Sequence, residues 1–397
     1  MRPSDFKLER FFARYEFETP NLLCCSDCES MSVRELLHMQ AGSQEEFLDL
    51  WLGYTESQGN PVLREEIASM YRTIAPGQVL VHSGAEEAIH NMAAALLQPG
   101  DHVIVQMPCY QSLSELPRSK GCRVSGWQLR PRSGKWQADL DELHSLINPR
   151  TRLIIVNSPH NPTGHLFSRE EWKQIFDLAA RHDIIVFADE VYRYLEHDDE
   201  PLPWACDVYE NAVSLGVMSK SFGLAGLRIG WIATRNTSIF KAMAAYKDYT
   251  TICNSAPSEF LANLALRNRS AILERNRGLI KDNLQLLEQF FTRHQDRFEW
   301  LRPGGGPIAF PAFRGGISAS DYADRLAAKA GILILPGSCY DYDDSHFRIG
   351  FGRANFPQVL QKWEEELGEG LGGGGRGEGK ENYGIGITRA LPLKFQH

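Results

Sequence analysis

Lys220 stands between an apolar stretch, Ser214-Leu-Gly-Val-Met218, and a glycine-broken loop, Ser221-Phe-Gly-Leu-Ala-Gly226, with Arg228 eight residues on. An amine attacks a carbonyl only when deprotonated, and partial burial beside another cation pushes a lysine in that direction. The run fits an imine-forming lysine, although a lysine in a glycine-rich loop is, taken alone, more often a solvated surface group. Other residues able to do chemistry each follow a short apolar run. Ser83, Gly84 and Ala85 follow Val79-Leu-Val-His82 and open a helical stretch. That is either an anion site built from free backbone N–H groups or an ordinary N-cap. Tyr110, in Pro108-Cys-Tyr, follows His102-Val-Ile-Val-Gln106 and offers a ring that stacks on a planar cofactor or packs in the core. Asn161, in His160-Asn-Pro-Thr-Gly164, follows Arg152-Leu-Ile-Ile-Val156 in a turn fixed by Pro and Gly, from which its amide can donate. Asp189, in Asp189-Glu-Val-Tyr192, follows Ile184-Ile-Val-Phe-Ala188, where a buried carboxylate is costly without a cationic partner. That partner is to be sought in a ligand.

The elements that must position these residues alternate. From residue 79 onward, near-continuous apolar strands are separated by helical stretches, one of them opened by the capping box Ser168-Arg-Glu-Glu171. Further strands are expected over 212–217 and 227–232. The alternation implies an α/β fold with a mostly parallel sheet buried on both faces. In such sheets ligands bind beyond the carboxyl ends of the strands, where all of these residues fall. Beyond about residue 257 the texture changes to long charged helices and then short strands, which reads as a smaller α+β domain.

At 397 residues the chain exceeds the usual range of a single core, so two domains are the default. No apolar run is long enough to span a bilayer, and the net charge of −8 argues against a nucleic-acid footprint. The N-terminus has no apolar segment of the secretory kind, so a cytoplasmic protein is expected. Eight scattered cysteines read as reduced thiols; Cys25-Ser-Asp-Cys28 matches C-x-x-C but lacks a second ligand pair, so no metal is expected. Gly370 to Gly375 satisfies G-x-G-x-x-G without a strand before it or a helix after it, which argues against a dinucleotide site.

Tyr54, Ser83-Gly-Ala85, Pro108-x-Tyr110, Asn161-Pro-Thr-Gly164, Asp189-x-x-Tyr192, Ser219-Lys220 with Arg228, and Arg348 in Phe-Arg-Ile-Gly350 form an ordered set. Together with Gly53-Tyr-Thr-Glu-Ser-Gln-Gly59, it resembles the signature of class I/II, fold-type I, pyridoxal-phosphate-dependent aminotransferases over roughly residues 50 to 367. Cys109-Tyr-Gln-Ser-Leu113, Asp248-Tyr-Thr-Thr251 and Pro336-Gly-Ser-Cys339 also resemble the capreomycidine synthase branch.

The resemblance implies a large domain over 46–257 with a seven-stranded-type sheet and a small domain over 258–367. Residues 1–45 would form an N-terminal arm and part of the small domain, and 368–397 a glycine-rich flexible tail. It implies pyridoxal 5′-phosphate as cofactor, held as an imine by Lys220, which would then move a proton at the substrate α-carbon. Asp189 would keep the pyridine nitrogen protonated, and Tyr192 and Asn161 would hydrogen-bond the phenolic oxygen. Ser83, the Gly84 and Ala85 backbone, Ser219 and Arg228 would hold the phosphate, with Tyr110 over the ring and Tyr54 reaching in from the second chain of a homodimer. Arg348, with Asn161, would clamp the substrate carboxylate. The implied reaction transfers the α-amino group of an amino acid to a 2-oxo acid. The alternative is a lyase or cyclodehydratase acting on a hydroxylated, arginine-like amino acid. Two departures stand out. Val217 replaces a hydroxyl residue that usually contacts the phosphate, and the segment Leu23 to Glu29 carries Asp27 and Glu29 where the family commonly has glycine. Those acids either face a cationic substrate side chain or complement the helix opened by the capping box Ser32-Val-Arg-Glu35.

Overall fold

The apolar runs form the centre of an eight-stranded sheet in the computed structural model, which describes residues 2–198 and 200–369. Its order is Val79–His82, Gly230–Ala233, Ala212–Val217, Ile185–Asp189, Thr151–Asn157, His102–Met107, Arg123–Arg132, Lys135–Ala138. The central pairs are parallel, and Gly230–Ala233 runs antiparallel to both of its neighbours. Almost every residue of these central strands is buried, because helices such as Ala85–Leu96 and Arg169–Arg181 cover the sheet. The glycine-rich tail and its G-x-G-x-x-G run lie outside the described residues.

Eight strands rather than seven arise from an edge hairpin that the apolar pattern concealed. Arg123–Arg132 carries arginines, Ser125 and Gln128, and along it only Trp127 and Leu129 are fully buried. A strand next to the sheet's edge and half in solvent does not read as an apolar run. It turns at Ser133 and Gly134, both with positive φ (50° and 75°), into Lys135–Ala138. The strand expected from Leu227 begins instead at Gly230, because Ala225–Leu227 form a 3-10 turn and Arg228 takes a left-handed conformation with φ 51°.

Both capping boxes form: Glu171 N–H donates to Ser168 Oγ at 3.2 Å, and Glu35 N–H donates to Ser32 Oγ at 3.1 Å. After the large sheet come the helices Ala256–Arg267 and Arg269–Arg293 and a three-stranded sheet of Ile308–Ala309, Phe347–Gly350 and Leu335–Pro336. Trp363 packs there against Phe290, Phe298 and Phe347.

The N-terminal segment joins these later elements. Asn21–Leu22 pairs in parallel with Ile332–Leu333, and the Gly350 N–H donates to Leu23 O at 2.7 Å. A Cβ on Gly350 would fall 1.6 Å from Cys25 O, and one on Gly223 would fall 2.5 Å from Glu29 O. The strap 23–29 is thus pressed between the strand carrying Arg348 and the loop carrying Lys220. No helix among the described residues is long and apolar enough to cross a membrane.

Gly350→Ala must push the Cys25 backbone aside, an overpacking cost of about 1–3 kcal/mol. Its thermal midpoint is expected to fall by a few degrees relative to the parent chain in a melting experiment, and an unchanged midpoint would contradict this account of the strap.

Candidate active site

Asp189 and Asn157 are paired in register at the carboxyl ends of adjacent parallel strands. Asn157 braces the turn after its own strand: Nδ2 donates to Asp189 O at 2.8 Å, and Oδ1 accepts from the Asn161 N–H at 2.6 Å. Asp189 is 6% exposed, and its carboxyl accepts from the Val191 N–H at 3.3 Å. Burial pushes its pKa up to about 7, against the opposing pull of that hydrogen bond and of Lys220. Tyr192, further along the same loop, is buried; its hydroxyl makes no hydrogen bond of ordinary geometry among the described residues, and the Ser26 side chain lies beside it.

Lys220 follows the Ala212–Val217 strand, with Nζ 5.9 Å from the centroid of the Tyr192 ring. Nζ donates to Ser26 Oγ at 2.8 Å, a contact supplied by the N-terminal strap. Burial lowers the lysine pKa; Asp27 opposes that shift, and Arg348 adds to it.

A second group of residues prepares for an anion. Gly84, with φ 89°, is the N-cap of Ala85–Leu96 and brings no side-chain cap, so the first N–H groups of this helix await an acceptor. A Cβ at Gly230 would lie 2.7 Å from the Gly84 carbonyl carbon, so the close approach of the two backbones needs glycine there, while Gly84 itself is required by its positive φ and lies beside Arg228 Nη2. Arg228 donates only to Ala225 O, at 3.4 Å, and pairs with no carboxylate among the described residues. Ser83 departs from expectation. Its N–H is taken by Glu87 Oε2 at 2.6 Å and its Oγ accepts from Asn254 Nδ2 at 3.3 Å, so the free N–H groups begin at Ala85. Glu87 also accepts from Thr250 and Thr251, which ties this turn to a distant loop.

Arg348 is buried and has no carboxylate partner among the described residues. Its Nε and Nη2 donate to Cys24 O at 3.1 and 2.8 Å, and its Nη1 donates to Asn161 Oδ1 at 3.2 Å and to Tyr340 Oη. Tyr340 Oη donates to Asn161 Oδ1 at 2.9 Å, which leaves the Asn161 Nδ2 without a partner among the described residues.

These groups line one cavity of about 360 Å³. Asp189, Tyr192, Lys220, Arg228, Arg348 and Asn161 meet there, with Ala85, Tyr110, Ser219 and Val217 completing the wall. The helix Lys7–Tyr15 closes it with Leu8, Glu9 and Phe12, and Tyr110 Oη donates to Glu9 Oε1 at 3.3 Å. Five residues of the expected set do not line it: Ser83 and Gly84, whose N–H groups donate to Glu87 Oε2 and His82 O, and Asp27, Glu29 and Tyr54. Asp27 is paired with Arg353 at 3.0 Å, Glu29 accepts from the Ala354 N–H at 2.7 Å, and Tyr54 is 87% exposed. Asn157, Ser26, Tyr340, Glu9 and Glu86 escaped the sequence reading. Only Asn157 left a usable signal, as the last residue of a strand that ends beside Asp189's.

The donor set fits a planar phosphorylated group carrying a ring cation: an uncapped helix end with Arg228 for the phosphate, a buried carboxyl for the cation, and the orphaned Tyr192 hydroxyl for a ring oxygen. Comparison with known proteins agrees. The family model for aminotransferase class I and II matches residues 35–360. A capreomycidine synthase from Streptomyces vinaceus is 32% identical over 326 residues, covering 81% of this chain and 83% of that one. An arginine–pyruvate transaminase from Pseudomonas aeruginosa is 30% identical over 317 residues, covering 75% and 77%. The solved structure of a PLP-dependent cyclase, OrfR, is 28% identical with a TM-score of 0.86, covering 93% of this chain and 98% of that one. A family match over most of the chain, and likeness to relatives across most of their own lengths, place it: the chain belongs to the class I and II aminotransferases, enzymes that depend on pyridoxal 5′-phosphate.

Proposed function

We propose that the chain takes the α-amino group from an amino acid and passes it to a 2-oxo acid. The observation that carries this reading is the placing of Lys220, with its lowered pKa, in one cavity with a buried carboxyl, Asp189, and a buried guanidinium, Arg348, that has no carboxylate partner among the described residues. When bound, pyridoxal phosphate supplies a protonated ring that draws electrons from the substrate's α-carbon. Asp189 keeps the ring nitrogen protonated, and Tyr192 Oη and Asn161 Nδ2 serve the ring oxygen. Arg228, Ser219 and the free N–H groups from Ala85 on take the phosphate, where Val217 offers no hydroxyl. Arg348 takes the substrate carboxylate through its planar fork. Lys220 Nζ accepts the proton leaving the α-carbon, and Ser26 Oγ steers that amine.

A second reading has support in the comparisons: elimination or cyclisation of a hydroxylated, arginine-like amino acid. The likeness to a capreomycidine synthase and to a PLP-dependent cyclase favours it, and the same Lys220, Asp189 and Arg348 would serve. A second copy of the chain covers the exposed apolar surface of Leu48, Trp51, Leu52, Tyr249 and Ile252, and so carries Tyr54 towards its partner's cavity. The free state of all eight cysteines supports a cytoplasmic setting for such a dimer.

Mixing the cofactor-loaded protein with an amino-acid panel and pyruvate is expected to yield the donor's 2-oxo acid and alanine in equal amounts. Release of water from a hydroxylated arginine, with no alanine formed, would replace amino transfer by the second reading. A pH dependence follows from Asp189. Its carboxyl is held neutral up to about 7 in the fold against 3.8 ordinarily, so the folded state binds this proton more tightly than the unfolded chain. The resulting stability is full below the ordinary value and is lost as pH rises through about 7. In denaturant unfolding of cofactor-free protein, Asp189→Asn should lose stability less steeply over that window, by up to ~1.4 kcal/mol per pH unit. Equal slopes would show that the carboxyl ionises freely in the fold.

A further inference from the structure

Two carboxyl groups line the cavity that amino transfer itself does not use. Glu86 lies in the first turn of the helix Ala85–Leu96. Its Oε1 accepts from Ser112 Oγ at 2.5 Å, while its Oε2 is fully buried without a partner, and no cation pairs with it among the described residues. Glu9 comes from the helix Lys7–Tyr15 that closes the cavity, where its Oε1 receives Tyr110 Oη. A carboxyl beside an anion site is unfavourable unless a cation stands between them, and a buried carboxyl oxygen left unpaired costs more still. Of the cations nearby, Arg228 attracts the Glu86 carboxyl across the cavity without forming an ion pair with it, and Arg348 is anchored on Cys24 O and Asn161. The other acids close enough in sequence to be expected at a substrate charge are engaged, Asp27 by Arg353 and Glu29 by the Ala354 N–H.

We propose that Glu86, with Glu9 closing over it, is the group that sets side-chain specificity, holding the guanidinium of an arginine-like substrate. This rests on the reading that Arg348 anchors an α-amino acid. The cavity then has a cationic end for the α-carboxylate and an acidic wall for the far end of the side chain. A guanidinium suits that wall because its fork of five N–H donors can serve the orphaned Glu86 Oε2 and a Glu9 oxygen together, which a single ammonium does less well.

The test uses full-length, cofactor-loaded protein and compares kcat/KM for L-arginine, for L-citrulline, which is its neutral isostere, and for L-lysine. Wild type should prefer arginine over both. Glu86→Gln, which keeps the shape and removes the charge, should reduce the arginine-to-citrulline ratio by about tenfold or more, mainly through KM, as expected for loss of a charge-assisted contact. Glu9→Gln, at an exposed position, should reduce it less. The wild-type ratio and Glu9→Gln keep the test decisive however Glu86→Gln folds. An unchanged ratio in both variants, or a wild type that accepts citrulline or lysine as readily as arginine, overturns the proposal and leaves amino transfer standing. If no amino acid reacts with wild type, the amino-transfer reading falls and this one with it.

Discussion

The carboxyl of Asp189 is buried at the end of a parallel strand with one backbone N–H for company, and the site is arranged around that cost. Burial pushes its pKa up to about 7, towards the neutral form. Lys220, Arg228 and Arg348 converge on the same cavity, and none of them forms an ion pair with a carboxylate among the described residues. A fold that gathers three cations without ion pairs around a costly buried carboxyl is prepared for a ligand, and a phosphorylated ring cation answers both sides. The unpaired Tyr192 hydroxyl and the uncapped helix end at Ala85 belong to the same preparation.

The strap from Leu23 to Glu29 links the two halves of that preparation. Cys24 O orients the Arg348 guanidinium, and Ser26 Oγ receives Lys220 Nζ, so carboxylate binding and the reactive amine share one short piece of backbone. Its course is fixed by glycines at positions 223 and 350, where a methyl group would collide with the strap's own carbonyls. Asp27, within the strap, is drawn to Arg353 rather than to the cavity. The acidic character expected of a substrate pocket there is found instead at Glu86 and Glu9, on two helices far apart in sequence.

The meeting of Lys220, Asp189, Asn161 and Arg348 was legible because it follows from topology: residues after successive apolar strands of a parallel sheet must share its carboxyl edge. The edge hairpin from Arg123 was not, since a strand half in water shows no apolar run. Ser26 and Tyr340 were hidden for another reason. They reach the site through packing between segments far apart in sequence, as in the contact of Ser26 with a lysine 194 residues away. At Ser83 a local competition decided the outcome, because Glu87, on the following turn, takes the N–H that the sequence pattern left open to an anion.

The central claim is that the amine of Lys220, among the chain's lysines, is the one this charge arrangement has made reactive. Loading the protein with pyridoxal phosphate, reducing it with borohydride and mapping the peptides by mass tests that claim most directly. The account predicts a pyridoxyl adduct on the peptide containing Lys220 and on no other. An adduct on Lys247, a buried lysine already engaged with Ser57 O and Ile252 O, or no adduct at all, would contradict it.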